Sequence, residues 1–191
     1  NVKLFIDYCS QLDENINHFI ITHSNFLHSL LKIVKGLKRY DILFDNLDIL
    51  HLKIIKNKDG ETIVQLIDIY TWKNTYSTFF DNNNKYTDYF NSENINRNTE
   101  KGINLFLMRH CAACHNHPKS SKLKKLTKKN YGSSSVCFDE IINQFVDKQN
   151  KPNLYLFGLS KIITKYGGIN KFNFGSSIIF RAVLTSIIIY N

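Results

Sequence analysis

The sequence predicts an α/β fold: a mostly parallel, open sheet flanked by helices, with a β-hairpin at its edge. The main observation is a plan that occurs three times, in which a short apolar run leads to a polar residue and then to a segment with helical periodicity. Strands that feed helices in this way lie parallel in a sheet covered on both faces. A second observation is a pair of apolar runs around an Asp-Gly turn, which is typical of a hairpin. With 191 residues, 43% of them hydrophobic, the chain can bury the core of one domain, or of one domain and a fragment.

The first of these units begins with the apolar run Phe19–Thr22, which is followed by His23. The next segment, "SNFLHSLLKIVKG", predicts a helix that Ser24 or Asn25 caps and Gly36 ends. Its apolar residues recur at helical spacing: Phe26, Leu27, Leu30, Leu31 and Val34.

The other two units lie in the second half of the chain. One has the run Asn104–Met108, then Arg109 and His110, then "CAACHNHP". The other has the run Lys171–Gly175, then Ser176 and Ser177, then "IIFRAVLTSIIIY". On this last predicted helix Arg181 and Thr185 are four residues apart and therefore share a face, and Ser177 lies four residues before Arg181.

The segment "ILHLKIIKNKDGETIVQLIDIYTW" predicts the hairpin. Its two strands are Ile49–Ile55 and Thr62–Tyr70, and its turn lies around Asn57–Gly60, where Asp59 and Gly60 form a strong turn signal.

Three polar or basic segments lie outside these units. Asp81–Lys101 is rich in Asn and predicts a linker, and Phe138–Asp147 predicts a helix. Lys119–Lys129 is a basic insertion with two interpretations, a solvated loop or a docking patch for an acidic surface.

The composition limits the classes of partner. A net charge of +9 suits an anionic partner, but the basic run has little aromatic interleaving, so nucleic acid is not the expected one. No apolar run approaches 18 residues, so we expect no membrane span. Four cysteines without a signal-like start predict no disulfide framework and a reducing compartment, the cytoplasm.

Several polar residues follow directly after the predicted parallel strands. Ligands of such sheets bind outside the carboxyl ends of the strands, where helix N-termini favour an anion. We therefore expect one cluster at that edge, made of His23, Arg109, His110, Ser177 and Arg181. Taken singly, His23 could equally be a satisfied histidine at a strand end, and Arg181 could be a member of a surface ion pair.

Cys111-Ala-Ala-Cys114-His115 matches the pattern of covalent haem attachment. Haem would need an export route and a distal ligand, and the sole methionine, Met108, lies on a predicted strand beside the motif. A zinc site from Cys111, Cys114, His115 and His117 lacks a second, separated ligand pair. We expect buried thiols, and neither a cofactor nor a metal.

Two of these patterns resemble motifs of the histidine phosphatase superfamily, the phosphoglycerate-mutase-like proteins. The first family motif is a strand followed by R-H-G, with an Asn five residues beyond the Gly. This chain has Arg109, His110, Cys111 in place of the Gly, and Asn116. A later family motif, S-x-x-x-R-A-x-x-T, is matched from Ser177 to Thr185 at every specified position.

The family's late histidine motif, a strand ending in His before a helix, is similar to "FIITHSNFLHSLL". Its order along this chain is reversed: residues 1–80 resemble the late-His half, 81–101 form the linker, and 102–191 resemble the first half. The chain is then either circularly permuted or a window from a tandem pair of domains. The start at an Asn and the end directly after a motif helix favour the window.

The resemblance implies phosphoester hydrolysis or phosphoryl transfer through a phosphohistidine, with His110 as nucleophile. It assigns phosphate binding to Arg109 and Arg181, a further donor role to His23, and secondary contacts to Asn116 and Ser177. The partner would be a phosphorylated small molecule or a phosphoprotein; the oligomeric state is not predicted.

The general acid is not assigned: Asp7, Asp13 and Glu14 lie upstream of His23 without a defined place. The alternative is therefore a catalytically inactive phosphate-binding or interaction module, degenerate or incomplete.

Overall fold

A computed structural model describes residues 2–35, 44–70, 101–111 and 156–190. The elements in chain order are α1 (Val2–Cys9), β1 (Asn17–Thr22), α2 (Ser24–Lys35), β2 (Ile49–Lys56), β3 (Thr62–Tyr70), β4 (Ile103–Arg109), α3 (Phe157–Lys165), a 3-10 turn (Ile169–Lys171), β5 (Phe172–Ser176) and α4 (Phe180–Tyr190). The predicted linker up to residue 100, the basic insertion Lys119–Lys129, the predicted helix Phe138–Asp147 and Asn116 lie outside the described residues.

The five strands form one open sheet in the order β3-β2-β4-β1-β5, flanked by helices. The α/β class is therefore confirmed, but the expectation of a mostly parallel sheet is correct only in part. β1 pairs in parallel with β4 and β5, whereas β2 is antiparallel to both β3 and β4, so the sheet is mixed. The reason is that the hairpin needs no crossover helix and adds both of its strands in antiparallel pairing.

The hairpin itself forms over the predicted segment, with β3 at the edge of the sheet and β2 inside it. Asn57 Oδ1 accepts hydrogen bonds from the N–H groups of Asp59 and Glu61, and Gly60 takes a positive φ of 80°. Seven of the eight residues of β2 are buried. This burial explains why β2 pairs on both sides instead of forming the rim.

The sheet separates two apolar layers. Side chains of β4 alternate between them: Ile103, Leu105 and Leu107 pack with α1 and α2, while Phe106 and Met108 pack with α3 and α4. This alternation follows from the two-residue period of a strand. Within the described residues, no helix is both long and apolar enough to cross a membrane.

The register brings the ends of the parallel strands to one edge. Thr22 at the end of β1 lies opposite Arg109 at the end of β4, and Ile21 lies opposite Ser176 of β5. The antiparallel β2 begins at this edge, because Ile49 lies opposite Met108. Residues 44–48, which precede β2, therefore reach the same edge as the residues that follow the parallel strands. We call it the carboxyl edge.

Candidate functional site

The structure brings the five residues of the predicted cluster together at the carboxyl edge. Asn116, the other predicted contact, lies outside the described residues. His23 follows β1, Arg109 ends β4 and His110 comes next. Ser177 follows β5, where its N–H donates to Ile21 O at 2.8 Å, and Arg181 lies in the first turn of α4. The rings of His23 and His110 are 5.0 Å apart between centroids.

His110 is 4% exposed and has a partner at each ring nitrogen. Its Nδ1 lies 2.6 Å from the Cys111 carbonyl oxygen, and its Nε2 lies 2.8 Å from Arg181 Nε. A carbonyl accepts and a guanidinium donates, so the proton of the neutral ring is on Nδ1 and the lone pair is on Nε2.

Burial is the main cause that lowers the pKa of His110 to about 3; the hydrogen bond to Cys111 acts against it, and the charges of Arg181, His23 and Arg109 act with it. The imidazole is therefore neutral at physiological pH. A neutral imidazole with an accessible lone pair is the form that can act as a nucleophile.

His23 contacts Ser177, which follows β5, and Arg181 of α4. Its Nε2 lies 3.0 Å from Ser177 Oγ, and its Nδ1 lies 3.4 Å from an Arg181 Nη. Because Arg181 must donate to Nδ1, Nε2 carries the proton and donates to the serine. In this arrangement His23 cannot act as the base for Ser177, so the pair is not a nucleophile–base dyad. Burial, and then the charges of Arg181 and Arg109, lower the pKa of His23.

Arg109 is held by the segment that precedes β2. One of its Nη atoms donates to the Phe44 carbonyl oxygen, and the carboxylates of Asp45 and Asp48 act on its charge. Burial lowers the pKa of Arg109, while the two carboxylates oppose that shift. Its Nε is buried and has no hydrogen-bond partner. The charge of Arg109 in turn lowers the pKa of Arg181, after burial.

Two further residues hold the site and were not in the predicted cluster. Asn46 Nδ2 donates to the His110 carbonyl oxygen at 2.7 Å, and Thr185 Oγ1 accepts from the Cys111 N–H at 3.1 Å. The adjacent Leu47 is buried with a φ of 66°, a conformation rare for a residue with a side chain. The turn-forming residues of "FDNLD" were the available signal for this segment. Thr185 was already visible one turn beyond Arg181.

The carboxylates upstream of His23 lie at the other end of the sheet. Asp13 and Glu14 precede β1, and the Asp13 carbonyl oxygen accepts from His18 Nε2 at 3.0 Å. Asp7 on α1 lines a cavity with Thr62, where β3 begins. Their position excludes all three as general acid for a group bound at the carboxyl edge.

Cys111 is a free, fully buried thiol in the apolar layer beside Met108 and Ala182. Burial raises its pKa. Among the described residues, no group of three or more His, Cys, Asp and Glu side chains could hold a metal ion. Cys114, His115 and His117 lie outside the described residues.

Comparison of the chain with models of known protein families, with curated proteins and with solved structures found no match.

Proposed function

We propose that the carboxyl edge is a phosphotransfer site, in which His110 Nε2 attacks a phosphoester and forms a phosphohistidine that water then hydrolyses. The observation that carries the proposal is the state of His110. Its proton is held on Nδ1 by the Cys111 carbonyl oxygen, and its lone pair on Nε2 faces the cation Arg181.

The cationic surroundings support a phosphate dianion as the ligand. Arg181 and Arg109 carry charges close enough to lower the pKa values of both histidines. The N-terminal turns of α2 and α4 add their positive ends at the same edge. A dianion would offset the repulsion between these groups, and it would raise the pKa of His23, which could then be protonated and donate to a phosphate oxygen.

The proposed reaction has two steps. In the first, the phosphate draws the Arg181 guanidinium from Nε2 to its own oxygens, an N–P bond forms and the bond from phosphorus to the leaving oxygen breaks. That oxygen takes a proton from water or from an acid still unassigned. In the second, water attacks phosphorus, the N–P bond breaks, the water loses a proton, and Nε2 regains its lone pair. Arg181 and Arg109 stabilise the equatorial oxygens in both steps.

The resemblance to histidine phosphatases supports the same function and remains part of the proposal. His23 comes from the segment resembling the late-His half, and Arg109, His110 and Arg181 come from the other half. Within this single chain, β1 lies between β4 and β5, so one copy contributes both sets of residues to one edge. This arrangement favours permutation over a tandem window. We propose a phosphorylated small molecule or a phosphoprotein as the substrate.

The second candidate is an inactive phosphate-binding module. One observation favours it: Arg181 Nε donates to the lone pair with which His110 would have to attack. In such a module a bound phosphate would contact Arg181 and Arg109 while His110 stayed hydrogen-bonded.

p-Nitrophenyl phosphate tests the proposal, because its leaving group departs without a proton and needs no general acid. We expect hydrolysis and an acid-labile, base-stable phosphoryl label on His110, both lost in His110→Gln. If the intact chain neither hydrolyses the substrate nor becomes labelled, while inorganic phosphate still binds, the phosphotransfer proposal is contradicted and the phosphate-binding module is supported. Thr164→Val, on an exposed position of α3, is the matched control and should behave as the wild type.

A further inference from the structure

Side chains hold both ends of the peptide unit that joins His110 to Cys111. Its carbonyl oxygen accepts from Asn46 Nδ2 at 2.7 Å, and its N–H donates to Thr185 Oγ1 at 3.1 Å. Asn46 lies in the turn before β2 and Thr185 lies in α4, so the two contacts come from different elements. Because a peptide unit is planar, holding both ends restricts the backbone torsions on each side of it.

These torsions determine where the proton of His110 resides. The acceptor of the Nδ1 proton is the carbonyl of Cys111, which belongs to the following peptide unit. The N–H of His110 donates to the Thr22 carbonyl oxygen at 3.0 Å, which holds the peptide unit before His110. The orientation of the ring's acceptor then depends on the peptide unit between His110 and Cys111. If that unit rotated, Nδ1 would lose its acceptor, and the tautomer with the proton on Nε2 would become populated.

Thr185 also connects this peptide unit to the cation. Its Oγ1 lies 2.7 Å from the Arg181 carbonyl oxygen and 3.0 Å from Cys111 Sγ, two acceptors that share its single proton, and the residue is fully buried. One hydroxyl therefore joins the backbone after His110 to the helical turn that carries Arg181.

We infer that Asn46 and Thr185 are positioning residues, which hold the peptide unit after His110 so that the lone pair stays on Nε2 and within reach of Arg181. The inference rests on the proposed function, in which Nε2 attacks. Neither side chain is a donor to the transferred phosphoryl group. Their loss should therefore lower the rate of phosphorylation and leave KM close to its wild-type value.

The test compares Thr185→Val, Thr185→Ser and Asn46→Ala with the control Thr164→Val in the full chain. Nitrogen-15 spectra of labelled histidine report the tautomer, and the signal lost in His110→Gln identifies His110. We expect a lone pair on Nε2 in the wild type, the control and Thr185→Ser, which keeps the hydroxyl. In Thr185→Val and Asn46→Ala we expect mixed tautomers and a phosphorylation rate lower by about 100-fold, as for a misplaced reacting group.

The outcomes separate this inference from the proposed function. If the tautomer changes in the variants but the wild type is never phosphorylated, the positioning role is supported and the proposed phosphotransfer function is contradicted. An unchanged tautomer and rate in both variants overturn the inference, even where the wild type is phosphorylated. A lower melting temperature with an unchanged tautomer shows a purely structural role and also overturns it. If Thr185→Val does not fold, the partly exposed Asn46→Ala decides by the same readouts.

Discussion

His51 and His110 are two buried histidines of the same sheet that differ in what their lone pairs face. They are 1% and 4% exposed, and burial lowers the pKa of each to about 3. His51 donates from Nε2 to Asn104 Oδ1 at 3.2 Å and stacks on Phe106, with ring centroids 4.1 Å apart. Its lone pair is on Nδ1, which is buried and has no hydrogen-bond partner. The lone pair of His110 is on Nε2 and faces a guanidinium.

The comparison shows that a lowered pKa does not by itself identify a nucleophile. Both rings are neutral for the same reason, the cost of burying a charge. His51 lies within β2, opposite Phe106 of β4, whereas His110 lies beyond the end of β4, at the edge where ligands of parallel sheets bind. The surroundings of the lone pair therefore distinguish His110, the proposed nucleophile, from His51.

The largest expected effect is a difference in hydrolysis rate between variants of the two histidines. His110→Gln should lower the hydrolysis of p-nitrophenyl phosphate by about 1,000-fold or more, because it removes the proposed nucleophile. His51→Gln should leave the rate close to that of the wild type, since its ring faces the aromatic interior. Steady-state rates of both variants, at matched folded concentration, make the measurement. Equal losses in the two variants would contradict the distinction.

The next effect concerns the cation that acts on each histidine. Arg181→Lys should lower the rate by about 100- to 1000-fold, because a lysine cannot reproduce the fork of donors that faces a phosphate. Lys165 is the corresponding cation at His51, and Lys165→Gln should have no effect on the rate. Initial rates across substrate concentrations test this. If Lys165→Gln lowered the rate as much as Arg181→Lys, the rate would depend on the net charge of the chain and not on the position of the guanidinium beside His110.

The smallest effect is on the dependence of stability on pH. A histidine whose pKa is lowered to about 3 on folding stabilises the fold above its ordinary pKa of 6.5, and this stabilisation is lost as the pH falls from there towards 3. The free energy of unfolding should fall by about 1.4 kcal/mol per pH unit for each such histidine. Denaturant titrations at several pH values should give a shallower slope for either His51→Gln or His110→Gln. A slope that neither variant changes would contradict the pKa shift in both.

Local patterns predicted much of the fold and of the site. The residue after each parallel strand was identified from the change between apolar run and helical periodicity, as for His23 and His110. The hairpin followed from Asp59 and Gly60. The pairing of β2 with β4 was not predictable in the same way, because its direction depends on a ladder between residues 49 to 59 positions apart.

Asn46 is a site residue that local sequence patterns could not identify. Its amide reaches a carbonyl 64 residues further along the chain. No spacing rule connects two such positions, and the strained Leu47 beside it is visible only in the backbone torsions. Thr185 was visible one turn from Arg181, but its link to Cys111 spans 74 residues.

The sequence by itself determined the five strands, the helices α2 and α4 and which polar residues follow the parallel strands, because these depend on neighbours within a few positions. The helices α1 and α3 were not predicted. The tertiary structure alone decided that the sheet is mixed, that His110 carries its proton on Nδ1, and that Asp7, Asp13 and Glu14 lie at the opposite end from it. Those properties arise from burial and from contacts between distant parts of the chain.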